Sequence, residues 1–238
     1  MELIYQTDSY AKEFDALVTG VEAEQNAVYL NRTAFYPGGG GQPNDVGELH
    51  VDGRVLKVTR VAKGNAHLLE GLLDGELPAV GSAVHGVVDW ERRYKLMRTH
   101  TAMHILCGVV WRDYGASVTG GNMEPLEGRM DFEFERMQKE LVAEIEAKIN
   151  AEVAAARDVR VQILPREQAF QIPDLIRTKI NLLPEGISEV RTVEIVGLDL
   201  QADGGTHVAN TREVGTLKIT DYKSKGGINK RIYLQIGE

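Results

Sequence analysis

The stretch "AVHGVVDWERRYKLMRTHTAMHILCGVVWR", Ala83–Arg112, changes its periodicity in the middle, and that change divides the fold. Its first part, AVHGVVDW, is Val-rich with partial alternation, the pattern of a strand. From Arg92 to about Arg112 nothing breaks a helix. Leu96, Met97, Ala102, Met103, Ile105, Leu106, Val109 and Val110 crowd that segment. Apolar residues on so many sides predict a largely buried helix. The texture therefore passes from β to α near Trp90.

Upstream of Trp90 the chain reads as all-β. AVYL (27–30), GELHVDG (47–53) and RVLKVTRVA (54–62) are short apolar runs punctuated by Gly or Asp-Gly. HVDGRV predicts a tight hairpin, because Asp-Gly suits the turns that match strand twist. Several short strands at this spacing suggest a small barrel over residues 1–90. Downstream, MQKELVAEIEAKINAEVAAAR (137–157) predicts a long helix with Met137, Leu141, Ile145, Ile149 and Val153 as its apolar stripe. VRVQILP, RTVEIVGLDL, VGTLKIT and KRIYLQI read as strands, and REQAFQ as a weaker helical stretch. The expected fold class is α+β: an N-terminal β-barrel, then residues 91–238 as helices packed on a mostly antiparallel sheet.

Composition narrows the class of protein. The chain has 238 residues, 43% hydrophobic and 26% charged, the balance of a soluble globular protein. No apolar run approaches the length of a membrane helix, and the N-terminus lacks a signal-peptide core. The single cysteine, Cys107, excludes an intramolecular disulfide, and a cytoplasmic location is expected. The net charge of −8 argues against a strongly basic nucleic-acid module. Positive charge is local instead, in WERRYKLMR (90–98) and KSKGGINKR (223–231).

His100 and His104 lie four apart on the predicted helix, one turn apart on one face, where they can share a metal ion. Two buried imidazoles otherwise need hydrogen-bond partners, since an unpaired buried polar group costs roughly 1–3 kcal/mol. A second pair, Asp203 and His207, brackets the glycines of "QADGGTHVANT" (201–211). Gly204 and Gly205 permit a tight path that would aim both side chains at one point. Together the four make a tetrahedral set of three nitrogens and one oxygen suited to zinc. Cys107 falls on the same helical face and is an alternative ligand, as is water at an open position. A lone cysteine in an apolar helix is more often core.

"YPGGGGQ" (36–42) leaves backbone amides unshielded at Gly38, Gly39, Gly40 and Gly41, which suits close approach of a substrate. It lacks the ending and the strand-to-helix setting of a nucleotide-binding loop. A flexible turn between strands is the alternative.

With these segments in view, the chain resembles the AlaX family of free-standing alanyl-tRNA editing proteins and the editing domain of alanyl-tRNA synthetase. The carriers of the resemblance are TAFYPGGGGQPNDVGEL, RTHTAMHIL, DGGTHVANTREVG and VGTLKITDYKSKGGINKRI, in family order over nearly the whole chain. It departs from the family at Asp203, where a cysteine is usual. The resemblance implies one Zn²⁺ per chain, held by His100, His104, Asp203 and His207. It implies that the glycine run shapes a pocket for a small amino acid, with Thr33 and Gln42 lining it. The implied activity is hydrolysis of tRNA-Ala mischarged with serine or glycine, in trans and as a second sieve. Thr33 would bond the serine hydroxyl, and Gln42, the backbone or a ribose hydroxyl would orient water. The two basic segments are the candidate tRNA contacts. The chain is expected to be a monomer or homodimer away from membranes. A tRNA-binding module with structural zinc, and a small-molecule metallohydrolase, are the rival readings.

Overall fold

Alternation along the first ninety residues closes a barrel. In a computed structural model, which describes residues 1–62, 64–72, 76–135, 137–177 and 186–237, the chain divides into two compact units, Met1–Tyr94 and Lys95–Glu238. The first holds β1 (Glu2–Leu3), β2 (Glu13–Glu22), β3 (Ala27–Leu30), β4 (Arg32–Thr33), β5 (Gly47–Val51), β6 (Arg54–Val61), β7 (His67–Glu70) and β8 (Ala83–Val88). Six of these close a barrel in the order β2-β3-β7-β6-β5-β8, all neighbours antiparallel, while β1 and β4 pair in parallel. Along β2 every second residue turns inward, so Phe14, Ala16 and Val18 join Val28, Leu30, Leu49, Leu56 and Val58 in the core. Asp52 and Gly53, both at positive φ, make the expected tight turn between β5 and β6.

One buried ion pair anchors the glycine-rich segment within this unit. Arg93 Nε lies 2.8 and 2.9 Å from the two Asp45 carboxylate oxygens, and both side chains are buried. Asp45 in turn accepts the Tyr36 N–H at 2.6 Å, while Arg93 donates to the carbonyls of Ser9 and Ala34. Removing one partner would strand a buried charge, at a cost of about 3–5 kcal/mol.

The predicted buried helix is α1 (Trp90–Tyr114), and the boundary between the units falls inside it. The second unit continues with β9 (Val118–Glu124), β10 (Glu127–Glu133), α2 (Lys139–Ala154), β11 (Val159–Pro165), α3 (Arg166–Ala169), β12 (Glu189–Ile195), β13 (Asp199–Ala202), β14 (Leu217–Ser224) and β15 (Asn229–Ile236). Its strands form two antiparallel sheets, β14-β15-β10-β9 and β11-β12-β13.

Two local expectations are corrected. RTVEIVGLDL is not one strand: Gly197, at φ 76°, turns the chain so that β13 folds back on β12. On α2 the buried stripe is Val142, Ile145, Ile149 and Glu152, not the predicted run of fours through Leu141 and Val153. Glu152 is buried because the guanidinium groups of Arg112 and Arg157 meet its carboxylate. Among the described residues no helix is long and apolar enough to cross a membrane.

Candidate metal centre

Helix α1 and the segment after β13 build the site. His100 and His104 sit one turn apart on α1, and their ring centroids are 5.1 Å apart. The His207 ring stacks on His100 at 4.2 Å and meets His104 edge-on at 4.8 Å. Asp203 closes the group, its oxygens 3.5 Å from His100 Nε2 and 3.0 Å from His207 Nε2. The donor atoms of His100, His104, Asp203 and His207 all lie within 4.8 Å of one another, and only Asp203 is more than slightly exposed.

The turn that delivers Asp203 and His207 is not made by glycine in a left-handed conformation, because neither Gly204 nor Gly205 has a positive φ. The Asp203 side chain makes the turn itself, accepting the Gly205 N–H at 2.8 Å. Arg191 holds the same residue through its backbone: Nη1 donates to the Asp203 carbonyl at 2.9 Å, and the Asp203 N–H donates to the Arg191 carbonyl.

The outer nitrogens of two imidazoles are already engaged. His104 Nδ1 is 3.1 Å from Asp199 Oδ2, and His207 Nδ1 is 3.1 Å from Thr101 Oγ1. That leaves Nε2 of each for the centre of the group, as a metal site requires. Burial pushes His100 well below its ordinary pKa and His207 down to about 4, so both are neutral lone-pair donors near pH 7. Burial opposes protonation of His104 too, but the Asp199 hydrogen bond and charge outweigh it and raise its pKa. Burial opposes ionisation of Asp203, yet the His100 imidazole and the His207 hydrogen bond hold its pKa well below the carboxylate range. Three imidazoles and a buried carboxylate form a set that zinc fits. Cys107 lies outside the group of four. Its thiol is buried, pushed well up in pKa by that burial, and accepts a hydrogen bond from Gln201 Nε2 at 3.4 Å.

The other predicted site residues lie in the barrel unit. Gly38, Gly39, Gly40 and Gly41 all take positive φ, between 57° and 138°. Only glycine adopts four such conformations in a row without strain. Gly39 and Gln42 close the loop with two backbone hydrogen bonds, at 3.0 and 2.9 Å, and Gln42 is buried. Thr33 is buried without exposure. Its hydroxyl lies 2.9 Å from His67 Nε2 and accepts the Phe35 N–H at 3.1 Å. His67 Nδ1 reaches the Val28 carbonyl at 3.3 Å, and burial lowers its pKa to about 4.

Five residues of these networks escaped sequence reasoning: His67, Thr101, Arg191, Asp199 and Gln201. Only the last two left a signal. Asp199, Gln201 and Asp203 alternate, so a strand there puts all three on one face. The basic segments are partly spent within the fold. Arg93 is buried on Asp45, and Arg98 donates to the carbonyls of Val214 and Gly237. On the second segment Lys230 caps the carbonyls of Gly226 and Gly227, and Arg231 pairs with Asp131 in two hydrogen bonds. Lys223 and Lys225 stay exposed.

Comparison with known proteins agrees with this architecture. Residues 190–233 match the family described as "Threonyl and Alanyl tRNA synthetase second additional domain", and residues 6–92 match "tRNA synthetases class II (A)". The second unit, which holds the buried His/His/Asp/His group, thus includes a segment similar to the accessory domain of threonyl- and alanyl-tRNA synthetases. The chain is 39% identical to the alanyl-tRNA editing protein AlaX-M of Saccharolobus solfataricus, over 99% of this chain and 98% of that one. It is 38% identical to AlaX-M of Methanosarcina mazei, over 99% and 96%. The alanine–tRNA ligase of Pyrococcus furiosus is 39% identical over 91% of this chain but only 24% of the ligase. The chain belongs to the AlaX-M family of alanyl-tRNA editing proteins.

Proposed function

We propose that the protein is a zinc-dependent hydrolase of the cytoplasm that deacylates tRNA-Ala mischarged with serine or glycine, acting in trans. The convergence of His100, His104, Asp203 and His207 within 4.8 Å carries the reading, in a chain whose relatives are named alanyl-tRNA editing proteins. Zinc held by these four residues would supply a Lewis acid for the lone pair of the substrate's neutral α-amino group. The remaining work falls to the chain. Within the barrel unit, Gln42 and the backbone amides of Gly38, Gly39, Gly40 and Gly41 are the proposed substrate-binding groups. Thr33 selects the side chain.

The Thr33 arrangement explains how selection by polarity would work. His67 is neutral, and its Nδ1–H goes to the Val28 carbonyl, so its Nε2 accepts the Thr33 hydroxyl proton. The Thr33 oxygen, which already accepts the Phe35 N–H, then keeps one further lone pair, which a serine hydroxyl can fill and an alanine methyl cannot. Lys223 and Lys225 at the β14–β15 hairpin are the proposed tRNA contacts.

Closure of the ligand set favours a second reading, since four protein donors are typical of structural zinc. In that case the protein binds tRNA without cleaving it. Seryl-tRNA-Ala and alanyl-tRNA-Ala, each incubated with the protein with and without chelator, separate the two. Loss of the seryl ester, blocked by chelator, with alanyl-tRNA-Ala spared, is the expected result. Binding without turnover establishes the second reading.

A further inference from the structure

We propose that Asp199 is a positioning residue: its carboxylate locks the His104 ring so that Nε2, and not Nδ1, faces the four-donor group. The proposal rests on the reading of that group as a metal site.

The contact is built from both sides. Asp199 opens β13, and its side chain is wholly buried. Strand alternation puts Asp199 and Gln201 on one face of β13, and Asp203 follows directly at its end, so the segment that delivers a ligand at 203 also delivers a carboxylate four residues earlier. Helix α1 must come close for that carboxylate to reach His104, and Gly108 lets it. A Cβ at Gly108 would stand 2.8 Å from Leu198 Cγ and 3.1 Å from Asp199 Cβ. Gly108 lies one turn beyond His104, so the strand crosses the helix where Asp199 meets the ring.

The surroundings of Asp199 favour the proton on His104. Asp199 Oδ2 accepts from Gln201 Nε2 at 2.6 Å, while Oδ1 accepts no hydrogen bond among the described residues and has the Arg177 guanidinium as an ion-pair partner, Nε at 3.7 Å. An amide N–H₂ only donates, and a guanidinium only donates. Both neighbours present donor hydrogens or positive charge to the Asp199 carboxylate, which favours its Oδ2 as the acceptor of the His104 Nδ1–H. The proton shared between Asp199 and His104 belongs to His104 Nδ1, and the Nε2 lone pair is left for a cation. A neutral imidazole with one nitrogen donating to a carboxylate has its tautomer and ring plane set together, and loss of such a partner typically weakens metal binding 10–100-fold. Gln201 ties the carboxylate to Cys107 as well, which gives the buried thiol a role in packing, apart from ligation.

The first readout needs no substitution at Asp199. Long-range ¹H–¹⁵N spectra of the histidine-labelled protein, with His104 assigned from the signal missing in His104→Gln, report which ring nitrogen carries hydrogen. The expected signature is His104 protonated at Nδ1, in the metal-free protein near pH 8 and in the zinc-loaded one. Protonation at Nε2 instead overturns the proposal. The second readout is the zinc dissociation constant from chelator competition. Asp199→Ala should raise it 10–100-fold and Asp199→Asn by less, because an Asn carbonyl still accepts from His104. Cys107→Ser should leave it unchanged. Zinc affinity in Asp199→Ala within twofold of the original overturns the proposal, and if that variant does not fold the tautomer decides alone. Failure of the unaltered protein to bind zinc sinks the metal reading, while the metal-free spectrum still tests the lock on His104.

Discussion

Cys107 and Asp203 compete in the sequence for one ligand position, and their surroundings separate them. The Cys107 thiol is buried and held up in pKa, which disfavours the thiolate a metal needs. Asp203 is kept ionised, and His100 and His207 stand within 3.5 Å of it. Asp203→Ala should therefore lose most bound zinc by elemental analysis, and Cys107→Ser should keep it; the opposite pattern would reverse the assignment. The histidines and Asp203 were legible because HxxxH and DxxxH are local patterns. His67 was not, because Thr33 and Val28 reach it across 34 and 39 residues. Its burial has a measurable consequence. The folded pKa of about 4 lies below the ordinary 6.5, so the unfolded chain binds the extra proton. Stability from this group is complete above pH 6.5 and drains away as pH falls toward 4. Between pH 7 and 5 the loss is about 2 kcal/mol. Urea midpoints at those two pH values should show it, and His67→Gln should flatten that dependence while lowering stability at pH 7.

At the scale of elements, α1 was readable because its apolar residues leave no doubt about burial, and β5 and β6 because Asp-Gly marks their turn. The stripe on α2 was misplaced by one residue for two physical reasons. A strict spacing of four advances about 40° per step around a helix of 3.6 residues per turn, so the run through Leu141 and Val153 drifts off the face. The observed stripe alternates steps of three and four, and it ends on a glutamate whose burial depends on two arginines distant in sequence. Approach distances between elements leave no trace in periodicity either, and Gly108 is the case in point. Alanine there gains about 1 kcal/mol of helix propensity. Its Cβ must also displace Leu198 and Asp199 at 2.8 and 3.1 Å, and overpacking of a tight contact costs about 1–3 kcal/mol. Gly108→Ala should be destabilised in urea unfolding and should bind zinc more weakly, because the strand carrying Asp199 moves away from His104. Unchanged zinc affinity would mean that the helix–strand approach does not control the site.

Across the whole molecule the donors of the metal centre belong to one compact unit, and the ion pair of Asp45 and Arg93 belongs to the other. Metal should then stabilise the second unit directly, since a ligand that binds only the folded form adds RT ln(1 + [L]/Kd), about 3–4 kcal/mol at a free concentration of 100–1,000 times Kd. The two tryptophans can read the units apart. Trp90 belongs to the first unit, stacked on Tyr94 with Lys12 Nζ 4.5 Å from its ring. Trp111 belongs to the second, with the Arg177 guanidinium 4.8 Å away. Trp111→Phe leaves only the first reporter and Trp90→Phe only the second. Chelation should lower the denaturation midpoint seen by Trp111 by the linkage amount, and added zinc should restore it. The midpoint seen by Trp90 should move less, because the barrel core and the Asp45–Arg93 pair close without the metal. Equal shifts at both reporters would mean that the units unfold as one cooperative body, and the barrel's stability would then depend on a cluster to which it contributes no donor.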